Sequence, residues 1–158
     1  RTTFVDAKIE DLYKVIKCIG GKKGYYAANW LWKIRGYIDK LFGGPGLQRG
    51  RRSTTNLEIG DSIDFWRVIN LRENKSLKLR AEMKLPGVAT LLFEMESDPT
   101  DPSRVALKQI ATFKPRGLFG ILYWYLVKPL HGIVFDGMLN GIAAEASRLS
   151  NLKDSSNA

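Results

Sequence analysis

The chain has 158 residues, 44% hydrophobic and 26% charged, which fits one globular domain (1–158) large enough to bury a core. A single cysteine, Cys18, excludes a disulfide framework and points to a reducing, cytoplasmic setting. The net charge of +9 is uneven: Lys14 to Arg52 holds ten Lys or Arg and one acid, Asp39, a block suited to nucleic acid, an anionic membrane or an acidic partner, or else a solvated basic face.

Arg1 to Lys8 alternates weakly around Phe4 and Val5 and reads as a short strand. Asp6 or Asp11 is placed to cap a helix over IEDLYKVIKCIGG, in which Ile9, Leu12, Val15, Ile16 and Ile19 recur at helical spacing. Gly20 and Gly21 end it, and Cys18 within it reads as a buried spectator thiol. The next stretch, GGKKGYYAANWLWKIRGYIDKLFGG, concentrates tyrosine and tryptophan under a cap of lysines. Ala27, Trp30, Leu31, Ile34, Ile38 and Leu41 make it an amphipathic helix between Tyr25 and Phe42, with Arg35 and Asp39 one turn apart and set to pair. Gly43 to Gly46 stop it, and LQRGRRSTTN reads as a loop or edge segment exposing Arg49, Arg51 and Arg52.

After Gly60 the period changes from helical to alternating. DSIDFWRVINLREN reads as a strand, and Glu73 to Ser76 as a turn. KSLKLRAEMKLPG sets Leu77, Leu79, Ala81, Met83 and Leu85 against Lys78, Arg80, Glu82 and Lys84 on the other face. VATLLFEMES follows, then the turn SDPTDPS, then RVALKQIATFKP with Val105, Leu107, Ala111 and Phe113 on one face. Four strands in hairpin order predict an antiparallel meander. Leu118 to Leu149 is a long helical pattern that Pro129 should kink or break. Within it GLFGILYWYLV is shorter than the ~20 apolar residues of a membrane span, and it reads as a buried helix. Residues 151–158 read as a frayed tail. The chain begins at Arg1 and carries no visible signal peptide, so it reads as a piece of something longer.

Strand, two helices, antiparallel strands and one long final helix make an α+β layout, a curved antiparallel sheet wrapped around the last helix. GYYAANWLWKIRGYIDKLFGG, DFWRV, LRAEMKLPG, FKPRGLFGILYWY and PLHGIVF, in that order, resemble a bacterial family of uncharacterised SRPBCC (START/Bet v 1-like) domains, from roughly Lys8 to Leu149. The resemblance implies a helix-grip fold with a cavity between sheet and last helix. Superfamily members bind lipids, sterols, polyketides or aromatic hormones there, and some are enzymes. In that family the domain commonly follows an NmrA-like, NAD(P)-binding Rossmann domain. This chain has no G-x-G-x-x-G, so it matches the C-terminal part of such a fusion. It implies no cofactor of its own, and NAD(P) only through a separate Rossmann partner in cis.

On that frame the expected cavity walls are Trp66, Met83, Leu91, Phe93, Phe113, Tyr123 and Phe135. Tyr26 and Trp30 either pack in the core or line the rim. Gln109 shares a face with Leu107 and Ala111, so its amide should point inward and need partners, from a ligand or water in the cavity or from another side chain. Arg67 enters the cavity, able to hold a carboxylate or phosphate, if Ile63, Phe65 and Ile69 face inward; it is on the surface if Trp66 and Val68 do, which is the favoured choice. Gly132 and Gly137 either admit a close approach of ligand or serve helix–sheet packing. One His and one Cys without clustered carboxylates argue against a zinc site. There is no G-x-S-x-G, and GGPG lacks the Lys-Ser/Thr of a phosphate loop. General acid–base chemistry remains, with His131 and Glu82 as candidates; the structural alternatives are a packed imidazole and a cross-strand ion pair. The expected function is binding of a hydrophobic small molecule or lipid, ranked above an enzyme. The alternatives are a cyclase, dehydratase or isomerase, or the substrate-binding half of a Rossmann oxidoreductase, and a basic surface that meets an anionic membrane or acidic partner. Nucleic acid ranks last, because the aromatic pattern of RNA-binding sheets is absent.

Overall fold

A computed structural model of the chain describes residues 1–20, 24–26, 29–41, 43–44, 56–84, 86–101 and 103–156, without the side chains of 29, 31, 32, 35 and 38. The Arg35–Asp39 pair, nearly all of the loop expected over 47–56 and the apolar positions 27, 31, 38, 42 and 85 lie outside the described residues. The elements are β1 (Thr2–Asp6), α1 (Ile9–Lys17), α2 (Asn29–Leu41), β2 (Ser62–Ile63), β3 (Trp66–Arg72), β4 (Ser76–Ala81), β5 (Gly87–Ser97), β6 (Arg104–Pro115) and α3 (Gly117–Ser156). The six strands form one antiparallel sheet in the order β1-β6-β5-β4-β3-β2, and with the long last helix they give the expected α+β layout.

The meander over β3 to β6 follows the alternation in the sequence. In β4, Leu77 and Leu79 are buried, and their partners on β5, Phe93 and Leu91, are buried with them. Each such side chain contributes about 1.5–3 kcal/mol by leaving water. The β3–β4 turn closes with Asn74 at φ 53, a left-handed conformation that asparagine tolerates. Between β5 and β6, the carboxylates of Asp98 and Asp101 each accept the amide two residues on, from Thr100 and Ser103, both at 2.9 Å. β1 then pairs with β6, Thr2 opposite Lys108, and closes that edge of the meander.

The strand expected over 61–74 is split. Asp64 turns the chain at φ 53, so β2 folds back on β3 with Ile63 opposite Trp66. The turn buries Ile63 and Phe65 together with Trp66 and Val68, which alternation alone would place on opposite faces, and it leaves Arg67 outside.

Neither Asp6 nor Asp11 caps α1, whose N-cap is Lys8 without a side-chain hydrogen bond. Asp6 pairs with Arg104 across the sheet edge at 3.2 Å. Asp11 is buried and pairs with Lys153 of α3, because Leu12, Val15 and Ile16 turn that side of α1 against the last helix. Cys18, expected buried, is half-buried just past the end of α1.

α3 runs unbroken for 40 residues. Pro129 does not end it: Pro129 and Tyr125, whose carbonyl loses its usual partner, both face outward, where water can satisfy that carbonyl. The 151–156 segment, expected to fray, continues the helix. Gly117 begins it at φ 66, which lets β6 turn directly into α3. The C-terminal half seals the core with Met138, Leu139, Ile142 and Ala146. The N-terminal half, expected to be buried, is not: Leu118, Phe119, Leu122, Tyr125 and Leu126 are 82%, 82%, 68%, 69% and 75% exposed. A helix laid over one sheet face buries one stripe, and this segment is apolar all round.

Close approaches along α3 fall at Gly120 and Gly141. A Cβ on Gly120 would lie 2.3 Å from the Pro86 carbonyl oxygen, and one on Gly141 2.7 Å from Tyr26. A Cβ on Gly132 would meet nothing nearer among the described residues than Arg1 Nη2, at 3.8 Å.

Candidate functional site

Where α3 leaves the core and spans the upper sheet, a cavity of about 1060 Å³ opens beneath it. Its origin is legible in the pairing of β5 and β6. Further along these strands the inward positions carry Leu91, Phe93, Met95, Val105 and Leu107, all buried. Toward Gly87 and Pro115 they carry Ala89 opposite Phe113 and Ala111 opposite Leu91. A methyl in place of a larger side chain cannot reach the helix, so the space stays open.

Phe65, Trp66 and Met83 form one wall. The roof is a row of rings on the inner face of α3. Phe113 packs against Tyr123 at 5.7 Å and stacks on Trp124 at 5.6 Å. Trp124 meets His131 at 5.5 Å, and His131 meets Phe135 at 5.4 Å. Such offset and tilted pairs hold a rigid apolar surface. Ile34 of α2 and Leu126 and Leu130 of α3 also line the space, as do Arg1, Lys84 and Lys128. α2 is tied into place by buried Asp39, whose carboxylate accepts the Lys84 amide at 2.8 Å.

His131 Nδ1 lies 2.9 Å from the Val127 carbonyl oxygen. A carbonyl only accepts, so Nδ1 is the donor in this contact and Nε2 is left to face other partners. Among the described residues no carboxylate lines the cavity. No three His, Cys, Asp or Glu side chains among them converge on a possible metal site either.

The structure gathers Trp66, Met83, Phe113, Tyr123, His131 and Phe135 around the cavity, and places the other candidates elsewhere. Leu91 and Phe93 are fully buried core beyond its end. Gln109 points inward as expected and is 2% exposed, but its Nε2 meets Met138 Sδ at 3.2 Å, and it is not part of the lining. Its Oε1 has no hydrogen-bond partner among the described residues. Tyr26 faces the core side, donating its hydroxyl to the Val15 carbonyl at 3.0 Å. Trp30 is 64% exposed.

Arg67 and Glu82 form a bidentate pair on the outer face of the sheet, at 2.7 and 2.9 Å, and line a separate groove with Arg80 and Arg116. The cross-strand ion pair therefore applies to Glu82, and its carboxylate is not presented to the cavity.

Sequence reading missed Ala89, Ala111, Trp124 and Tyr25. The two alanines carried a signal, small residues in core-facing register. Trp124 is the middle of Tyr123-Trp124-Tyr125 and two turns before His131. Tyr25 donates to Asp64 at 3.0 Å behind Phe65, whose ring centre lies 5.8 Å away. Burial first, and the Asp64 charge second, push its hydroxyl well above the usual tyrosine pKa, with a smaller opposing contribution from the Trp66 N–H.

These features define a class: an α+β domain with an apolar cavity between its antiparallel sheet and its long last helix. The chain belongs to the family described as "Protein of unknown function (DUF2867)", whose sequence profile matches residues 1–138. Among solved structures it is similar to the protein XoxI from Bacillus cereus, with a TM-score of 0.50 and 10% identity over 94% of each chain. It is also similar to CV1439 from Chromobacterium violaceum (TM-score 0.44, 10% identity, 93% of this chain and 96% of that one). A third is CalU16 from Micromonospora echinospora (0.42, 6%, 96% and 83%). The likeness to XoxI speaks for the fold. A search of curated proteins found no match.

Proposed function

We propose that this chain is a helix-grip domain of the SRPBCC type that binds a hydrophobic small molecule or lipid between its sheet and α3. The observation that carries the reading is the cavity of about 1060 Å³, open where β5 and β6 switch to alanine and roofed by aromatic rings. Small-molecule sites commonly hold ~300–1,000 Å³, so this one accepts a large ligand. A ligand that buries ~200 Å² of apolar surface there gains about 5 kcal/mol. His131 and the cations Lys84 and Lys128 are among the polar groups available to orient one end of it. Binding ranks above acid–base catalysis because the described lining offers an imidazole without a carboxylate. The reading places the domain in the cytoplasm. It also accommodates an NmrA-like Rossmann partner in cis, which would hold NAD(P) while this domain shapes the substrate.

The test is a titration with parinaric acid, a fluorescent fatty acid, competed by oleate. The double variant Ala89→Leu/Ala111→Leu fills the space from the floor. It should bind the probe at least ~10-fold more weakly while its melting temperature holds or rises, since the added carbons are buried. Equal affinity in the two proteins would refute a site in this cavity.

A further inference from the structure

We propose that the exposed apolar face made by α2 and the first half of α3 is a docking surface for an anionic lipid bilayer, with the cavity mouth opening onto it. The docking does not rest on the ligand reading.

α3 is apolar on both sides where it needs to be apolar on one. Gly120, Trp124, Val127, His131 and Val134 recur on the side turned to the sheet, and Leu118, Phe119, Leu122, Leu126 and Ile133 stand 68–82% exposed on the other. α3 is long and apolar enough to cross a membrane, and its most apolar window, of mean hydropathy 1.4, is only 17% buried. α2 adds a second strip: Trp30, Tyr37 and Leu41 are 64%, 69% and 72% exposed at three-to-four spacing, with Ile34 between them. Ile34, Leu126 and Leu130 line the cavity and are themselves about half exposed or more, so the two strips meet at its mouth.

Charge selects the occupant. No acid occurs between Asp101 and Asp136 in the sequence. Exposed Lys33 and Lys40 flank the α2 strip, and Lys84 and Lys128 sit at the mouth. Lys128 lies at the cavity mouth, beside the apolar face of α3. In the core of a protein interface it would be desolvated without a partner, whereas at a bilayer its stem lies among the acyl chains and its ammonium reaches the phosphates. Exposed tryptophan and tyrosine beside lysine is the composition of a membrane–water interface. α3 cannot readily leave the domain to span: Gly120 is seated on Pro86 and Pro115, and from Val134 onward the helix seals the core. It lies in the interface plane instead.

The experiment is vesicle flotation of the purified chain. Vesicles of equal parts phosphatidylglycerol and phosphatidylcholine are compared with phosphatidylcholine alone, at low salt and at about 0.5 M salt. The chain should partition at least ~10-fold better onto the anionic vesicles and lose most of that preference at high salt. Phe119→Ser/Leu122→Ser, at positions outside the cavity lining, should lower partition at least ~10-fold with parinaric acid binding unchanged. Equal partition onto both vesicles, or no effect of the double variant, would overturn the proposal. So would a dimer of the wild-type chain that the same substitutions dissolve, since the face would then join two copies. Retention on vesicles through alkaline carbonate would overturn it in favour of a spanning helix.

Discussion

Gly120→Ala tests how α3 is seated over the cavity. The new Cβ would stand 2.3 Å from the Pro86 carbonyl oxygen and 3.0 Å from the Cα and Cβ of Pro115. All of these sit on or beside backbone, so the helix must lift by about an ångström or the β4–β5 connection must move. The Pro86 oxygen also accepts the Arg116 amide at 2.8 Å, a bond the shift would stretch. Alanine is the better helix former by about 1 kcal/mol. Against that stand about 1–3 kcal/mol of overpacking and about 1 kcal/mol for the weakened hydrogen bond. The net expectation is a loss of about 2 kcal/mol, or a fall in melting temperature of roughly 5 °C for a chain this size. Gly132→Ala, in the same helix with its nearest described neighbour 3.8 Å away, is the control. It should raise the melting temperature by about 2–4 °C through propensity alone. Thermal melts by circular dichroism read both. If the two variants shift in the same direction by similar amounts, α3 does not rest on Pro86 and the cavity roof is not held as described.

Two further outcomes follow from buried polar groups. Tyr25 keeps its proton when folded, and its unfolded value is near 10.0. Above that pH the unfolded chain releases the proton first, so stability falls as pH rises beyond it. In urea melts from about pH 9 to about pH 11, Tyr25→Phe should show a shallower alkaline decline than wild type; equal slopes would contradict the buried Tyr25–Asp64 bond. Gln109→Leu removes a buried acceptor with no described partner, so stability should change by less than about 1 kcal/mol. Parinaric acid affinity should hold as well, and a large loss of affinity would place the amide in the site.

The parts of the fold that could be read in advance were those governed by one local rule. Leu77 and Leu79 alternate with Lys78 and Arg80, and β4 follows. Ile9, Leu12, Val15 and Ile16 recur at helical spacing, and α1 follows. Asp64 hid because a left-handed aspartate within an alternating run leaves no compositional mark, yet it splits one strand into two. The exposure of Leu118 to Leu126 could not be read, because an apolar segment declares a wish for a neighbour without saying whether the fold supplies one. The site divides the same way. Phe113, Tyr123, His131 and Phe135 were large residues on the right periodicity. Ala89 and Ala111 make the cavity by being small, a property that matters only against the helix above them. Gln109 was correctly turned inward, but whether it met ligand or Met138 depended on where α3 crossed the sheet.

The order of the sheet carries a consequence for how the chain comes to be folded. β1 precedes the other strands of its sheet, yet its partner is β6, and α1 buries its apolar side against α3. During synthesis Leu12, Val15 and Ile16 emerge long before α3, against which α1 packs. The hairpins of β3 to β6 can close among themselves on short loops, so they form the early structure. β1 and α1 have to wait uncovered and join last, across the long loop that β1–β6 pairing closes. A nascent chain halted before α3 would therefore display its α1 face, and in that interval it is exposed to aggregation or to capture by a chaperone.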